Sequence, residues 1–168
     1  MTIKSIIQST CKFVVLVLSI MYCGVSYHSF TISIPQPVTS VPATNRAQIA
    51  LIKVGAPVNK INDLSRAVAG ASAMTSLSPE LIVALVKTES EFNYKAVSPK
   101  GYKGLMQTPW ATLKWADVDI LYGAKILQEK LKFSNNDLQL ALALYKGGNN
   151  EMAHKYATET LRVYRSLL

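Results

Sequence analysis

Ser78-Pro79-Glu80-Leu81-Ile82-Val83-Ala84-Leu85-Val86-Lys87-Thr88-Glu89-Ser90-Glu91-Phe92 is the stretch that decides the fold. It opens with a serine able to cap a helix and a proline at the first helical position, where no backbone N–H is needed. At about 100° per residue, Leu81, Ile82, Leu85, Val86 and Phe92 fall on one stripe, with Glu89 near its middle. Glu80, Lys87 and Glu91 point away from that stripe. The spacing predicts a core helix carrying one inward carboxylate. Apolar neighbours disfavour the charged form of such a group, so it can hold a proton near neutral pH and donate it. On this ground Glu89 is the candidate general acid. The ordinary alternatives are a solvated surface acid or a structural one paired with Arg or Lys.

Outward from this helix the pattern stays helical. Segments 46–54, 58–74, 117–133, 136–146 and 150–167 carry helical periodicity, and a glycine-containing stretch over 98–112 interrupts them. No run alternates apolar and polar residues for long enough to argue a sheet. Asp117 and Asp119 open one helix and lysines close it, as the helix dipole favours. An all-α domain over residues 46–168 is therefore expected.

The N-terminal part differs in kind. Lys4 and Lys12 precede a stretch from Phe13 to Ile34 without Asp, Glu, Lys or Arg. Its length can span a bilayer, and the lysines would hold the N-terminus in the cytoplasm with the rest of the chain beyond the membrane. Residues 1–34 are read as a signal peptide or an N-terminal membrane anchor. Residues 35–45, with Pro35, Pro37 and Pro42 among small polar residues, read as a flexible linker.

Composition narrows the chemistry. The 168 residues carry 18 Lys+Arg and 10 Asp+Glu, a formal charge of +8. Beyond residue 45 the balance is 16 against 10, or +6, with the lysines dispersed. No arginine-rich run, recognition-helix pattern or aromatic RNA motif points to a nucleic-acid partner, and none is expected. The charge by itself fits any polyanion, nucleic acid, anionic lipid and wall polymers included, and does not choose among them. Both cysteines, Cys11 and Cys23, sit in the N-terminal segment. In a helix they would stand about 18 Å apart, too far for a disulfide. His28 and His154 are the only imidazoles. No metal and no cofactor are expected from these residues.

Four ordered motifs then acquire a common meaning: Glu89-Ser90-Glu91-Phe92, Ala96-Val97-Ser98-Pro99-Lys100-Gly101, Gly104-Leu105-Met106-Gln107, and Ala141-Leu142-Ala143-Leu144-Tyr145-Lys146-Gly147-Gly148. Together they resemble the soluble lytic transglycosylase (SLT) catalytic domain, from about Leu64 to the C-terminus. The resemblance implies a lysozyme-like fold and action on bacterial peptidoglycan glycan strands, at the β-1,4 bond between N-acetylmuramic acid and N-acetylglucosamine. It implies Glu89 as sole catalytic acid and base, with a 1,6-anhydromuramoyl product. It also implies substrate contacts by Ser90, Met106, Gln107, Tyr145 and Lys146. Ser90 equally fits as a small packing residue, Met106 as core filler, and Tyr145 as packing at a helix end. Trp110 and Trp115 suit either sugar stacking or burial.

Departures from the family pattern accompany the likeness. Glu91 stands where the family usually has Gly, which on an exposed face is expected to be harmless. Gln107-Thr108-Pro109 lacks an added Met before its proline. Lys146 replaces a substrate-contacting Asn; an ammonium accepts no hydrogen bond, and a positive charge near Glu89 opposes an acid role. The family's C-terminal Tyr-Val pair is matched loosely and in reverse by Val163-Tyr164. A goose-type-lysozyme-like hydrolase and a non-catalytic wall-binding scaffold are the competing functions. The expected location is the periplasmic face of the bacterial inner membrane, or the periplasm if the leader is cleaved. The domain's small size suits local wall opening for a secretion, conjugation or phage machine.

Overall fold

The computed structural model describes residues 41–109 and 115–168. The uncharged stretch 13–34, the linker up to residue 40 and Trp110 lie outside the described residues. Six helices follow in order: α1 (Ala43–Lys53), α2 (Ile61–Thr75, entered through a 3-10 turn at Val58–Lys60), α3 (Pro79–Ser90), α4 (Ala116–Phe133), α5 (Leu138–Lys146) and α6 (Glu151–Leu167). Among the described residues there is no strand. The loop between α3 and α4 makes only isolated bridges, Lys103 pairing with Val97 and with Thr108.

The helix ends have chemical causes. Ser78 Oγ accepts from the Leu81 N–H at 3.2 Å and Pro79 fills the first helical position. Asp137 caps α5 through the Leu140 N–H at 3.0 Å, and Asn150 caps α6 through the Ala153 N–H at 3.0 Å. The start of the first helix differs from the sequence reading. α1 begins at Ala43, so Ala43–Asn45 are helical although composition groups them with the linker. Pro42 sits just before the first turn, where it can start a helix without interrupting one.

α3 is the hub. Every residue from Pro79 to Val86 is buried, and the helix touches α1, α2, α4 and α6. A helix covered on all sides has no wet face, and this corrects the placement of Glu80. Glu80 is only 7% exposed, held by the Arg46 guanidinium of α1, whose Nε donates to Oε1 at 2.9 Å and Nη2 to Oε2 at 2.6 Å. Such a two-pronged pair satisfies a carboxylate that the wheel alone sends to solvent.

Past Ser90 the chain turns sharply. Glu91 (φ 50°) and Phe92 (φ 65°) both take left-handed backbone, and Phe92 enters the core from beyond the helix end. The Glu91 side chain is exposed, as expected, but its backbone is not indifferent to residue type. A residue with a Cβ pays for a left-handed conformation that Gly adopts freely. Glu91→Gly should therefore raise stability by about 1 kcal/mol. Urea denaturation of the two proteins checks this, and a less stable variant would show that the turn costs nothing.

Candidate active site

Glu89 lies in the last turn of α3, and its side chain is 2% exposed. Burial agrees with the wheel, but the surroundings are more polar than a dry apolar pocket. Lys146, at the end of α5, donates from Nζ to Glu89 Oε2 at 3.0 Å. Its own side chain is 40% exposed, and its ammonium also lies 4.6 Å from the Tyr156 ring centre. The same element order explains the charge pairing. Glu89 sits at the negative end of a helix dipole inside protein, so a cation from a neighbouring helix stabilises it there. Glu89 Oε1 has no hydrogen-bond partner among the described residues.

Two phenols complete this corner. The Tyr145 hydroxyl donates to the Met106 carbonyl at 2.8 Å, tying α5 to the loop. Burial pushes its ionisation well above the ordinary tyrosine range, and the charges of Glu89 and Asp119 add to this. The Tyr156 hydroxyl, from α6, is buried and faces Glu89 without completing a well-formed hydrogen bond. It too is pushed well up, first by burial and then by the Glu89 charge. Both therefore remain neutral donors over any working pH.

The loop residues are arranged differently from their expected roles. Gln107, at φ 48°, spends both N–H bonds inside the loop, on the carbonyls of Ala96 (3.1 Å) and Gly104 (2.9 Å). Only its acceptor oxygen is left for a ligand. Met106 is fully buried, and a Cβ built on Gly123 of α4 would lie 2.6 Å from its side chain. The missing side chain at Gly123 is thus what lets the loop seat against α4. Ser90 Oγ donates back to the Val86 carbonyl at 3.2 Å, within its own helix.

Two functional neighbours escape the sequence reading. Asp119 is not simply a helix N-terminal acid: it is 3% exposed, and its Oδ2 accepts the Leu105 N–H at 2.5 Å. It anchors the Gly104–Gln107 turn to α4. Burial raises its pKa, while the N–H groups of Leu105 and Met106 act in the opposite sense. Tyr156 is the aromatic that meets Glu89, whereas Tyr164 receives a 3.3 Å hydrogen bond from Ser78 at the opposite end of α3. A signal for both existed. Asp119 and Gly123 are four apart beside the Ile120, Ala124, Leu127 stripe, and Tyr156 flanks the buried Ala153, Ala157, Thr160 face.

A cavity of about 720 Å³ lies elsewhere, between α2 and α4, lined by Arg66, Met74, Tyr94, Trp115 and Leu121 among others. Glu89 is not part of it. Trp115 is 62% exposed at its edge, so packing does not explain that side chain. Among the described residues no three His, Cys, Asp or Glu side chains converge as a metal would need.

Comparison with known proteins gives the family. The family model described as "Transglycosylase SLT domain" matches residues 66–162. The chain belongs to the SLT transglycosylase family. All the residues that gather around Glu89 fall inside the matched region, and the helical SLT domain has the lysozyme-like fold. A protein named "Transglycosylase" from Enterobacteria phage PRD1 is 37% identical over 92 residues, covering 50% of this chain and 34% of that protein. The chain thus spans about a third of that relative's length. No solved structure matches it significantly.

The Asp119 anchor makes a signed prediction. The folded protein keeps this proton to higher pH than the unfolded chain does. Ionising Asp119 therefore costs stability, progressively as pH rises from the ordinary aspartate value of 3.8 through the raised one, and the loss persists at neutral pH. Asp119→Asn keeps an acceptor for Leu105 and should melt at or above the parent at pH 7, the difference vanishing toward pH 3. Asp119→Ala strands the Leu105 N–H and should lose about 1–3 kcal/mol. Thermal melts across pH report both, and a parent that outmelts the Asn variant at pH 7 would contradict the assignment.

Proposed function

We propose that this SLT domain is a lytic transglycosylase that cleaves the β-1,4 bond between N-acetylmuramic acid and N-acetylglucosamine in peptidoglycan. The supporting observation is a single buried carboxyl. Glu89 is enclosed by protein, yet no second carboxylate converges on it among the described residues: Glu91 is exposed beyond the helix end, and Asp119 is committed to the Leu105 amide. Hydrolysis with the usual pair of acids needs a second group facing the same sugar. One acid suffices when the nucleophile is the substrate's own hydroxyl.

The steps balance with that one group. Protonated Glu89 gives its proton to the glycosidic oxygen as the C1–O4 bond breaks. The resulting carboxylate takes the proton of the muramoyl 6-hydroxyl as O6 bonds to C1. A 1,6-anhydromuramoyl end forms, no water is consumed, and Glu89 returns to its acid form. Tyr156 is a positioning residue in this scheme, its buried hydroxyl bordering the carboxyl and able to close a hydrogen bond to it. Gln107 contributes an acceptor oxygen to the substrate and Tyr145 holds the loop that carries it.

The reading extends to location. The uncharged stretch 13–34 supports tethering at the periplasmic face of a bacterial inner membrane, or export to the periplasm. The proposed setting is local wall opening for an envelope-spanning secretion, conjugation or phage machine. A wall-binding scaffold without turnover is the second reading, and the Lys146–Glu89 ion pair is the observation that favours it, since a charge-compensated carboxylate is not poised to donate.

Purified sacculi separate these readings. Glu89→Gln should lower muropeptide release at least about 10²-fold, and mass spectrometry should find 1,6-anhydro ends in what the parent releases. Reducing muramic ends without anhydro sugar would assign a goose-type hydrolase instead. Retained binding with no release by either protein would assign the scaffold.

A further inference from the structure

The cation at position 146 creates a charge problem that the substrate is able to solve. At rest Lys146 and Glu89 compensate one another across 3.0 Å. A second ammonium stands close by: a Cβ built on Gly147, the next residue, would lie 3.9 Å from Lys100 Nζ. Lys100 is exposed and Lys146 is 40% exposed, so both present N–H donors to whatever approaches this lip. The other groups facing Glu89 are Tyr145 from α5 and Tyr156 from α6, both neutral. Asp119 of α4 bears on Tyr145 and is turned to the Leu105 amide. Glu89 is thus the anion that answers Lys146.

When Glu89 carries the proton its proposed role requires, that answer is withdrawn. Lys146 is then left without its protein anion, while the Lys100 ammonium stands beside the adjoining Gly147. An anionic group on the ligand restores neutrality, and it does so only by taking Glu89's place beside Lys146.

We infer that Lys146 and Lys100 form a carboxylate-binding subsite, and that a substrate carboxylate replaces Glu89 as the partner of Lys146, leaving Glu89 to take up a proton from solvent. This rests on the proposed role of Glu89 and adds to it the class of ligand group recognised. The ammonium keeps its charge throughout, and the one proton gained by Glu89 comes from water or buffer. Carboxylate binding and protonation of Glu89 are therefore linked, each favouring the other. Two groups in peptidoglycan have this chemistry: the lactyl carboxylate of peptide-free muramic acid, and the carboxylates of the stem peptide.

Calorimetry with the full chain tests the inference. The ligands are 1,6-anhydromuramoyl disaccharides, which the proposed reaction cannot cleave further. One pair is peptide-free, with the lactyl carboxylate free or converted to its methylamide. The other pair bears a stem peptide, with its carboxylates free or amidated. In at least one pair the free carboxylate should bind about tenfold tighter than its amide, the range expected for a hydrogen bond to a charged group. It should also take up protons, seen as a binding enthalpy that varies with the ionisation enthalpy of the buffer. The pair that shows the preference identifies the source of the carboxylate.

Lys146→Asn should abolish both the preference and the proton uptake, and Lys100→Gln should weaken the preference about threefold. Glu89→Gln should keep the preference and lose the uptake, because it has no proton to gain. Equal affinities in both pairs, a preference that survives Lys146→Asn, or no measurable binding of either carboxylate ligand would overturn the subsite. Failure of the catalytic reading has a different signature, namely sacculus turnover that persists in Glu89→Gln while the ligand preference stands.

Discussion

A helix wrapped on every side can carry charge only if another helix answers it, and that constraint organises this domain. α3 has two such acids. Glu80 in its first turn is met by Arg46 of α1, and Glu89 in its last turn by Lys146 of α5. Breaking either pair would leave a carboxylate stranded in protein, which is far more costly than losing a surface ion pair. The two pairs differ in one respect that bears on function. Arg46 holds both oxygens of Glu80, whereas Lys146 holds one oxygen of Glu89 and leaves the other without a partner among the described residues.

Around this hub the loop between α3 and α4 is fixed from several directions. Asp119 accepts its Leu105 N–H, Tyr145 donates to its Met106 carbonyl, and Gln107 closes it from within. Gly123 leaves the space into which Met106 packs. These contacts come from α4, α5 and the loop itself, so the position of the loop relative to Glu89 depends on several helices at once. A small domain can hold a site in this way because several polar anchors act on the loop together, with Asp119 Oδ1 the one buried anchor atom left without a hydrogen-bond partner among the described residues.

Lys146 sets the electrostatic character of the site. An amide in that position offers both a donor and an acceptor, and an ammonium offers donors and a charge. The charge compensates Glu89 at rest, and in the proposed mechanism it turns to solvent or to a ligand anion when Glu89 carries a proton. The inferred subsite joins the protonation of the acid to the chemistry of whatever binds beside it.

Much of this was legible from residue order. The cap at Ser78-Pro79, the apolar stripes and the acid-first, lysine-last pattern of α4 located the helices within a few residues, because capping and periodicity are local properties of the chain. The inward direction of Glu89 followed from the same wheel, and the ordered motifs pointed to the family. Tertiary structure alone decided which partners the polar groups found. Glu80 went inward because α3 is covered on every side from Pro79 to Val86, the donors of Gln107 were consumed by its own loop, and Tyr156 rather than Tyr164 came to Glu89. The left-handed turn at Glu91 and Phe92 likewise set where the loop begins. Periodicity states which face of a helix a residue occupies; only the packing of other helices determines what that face meets, and a buried charge is defined by what it meets.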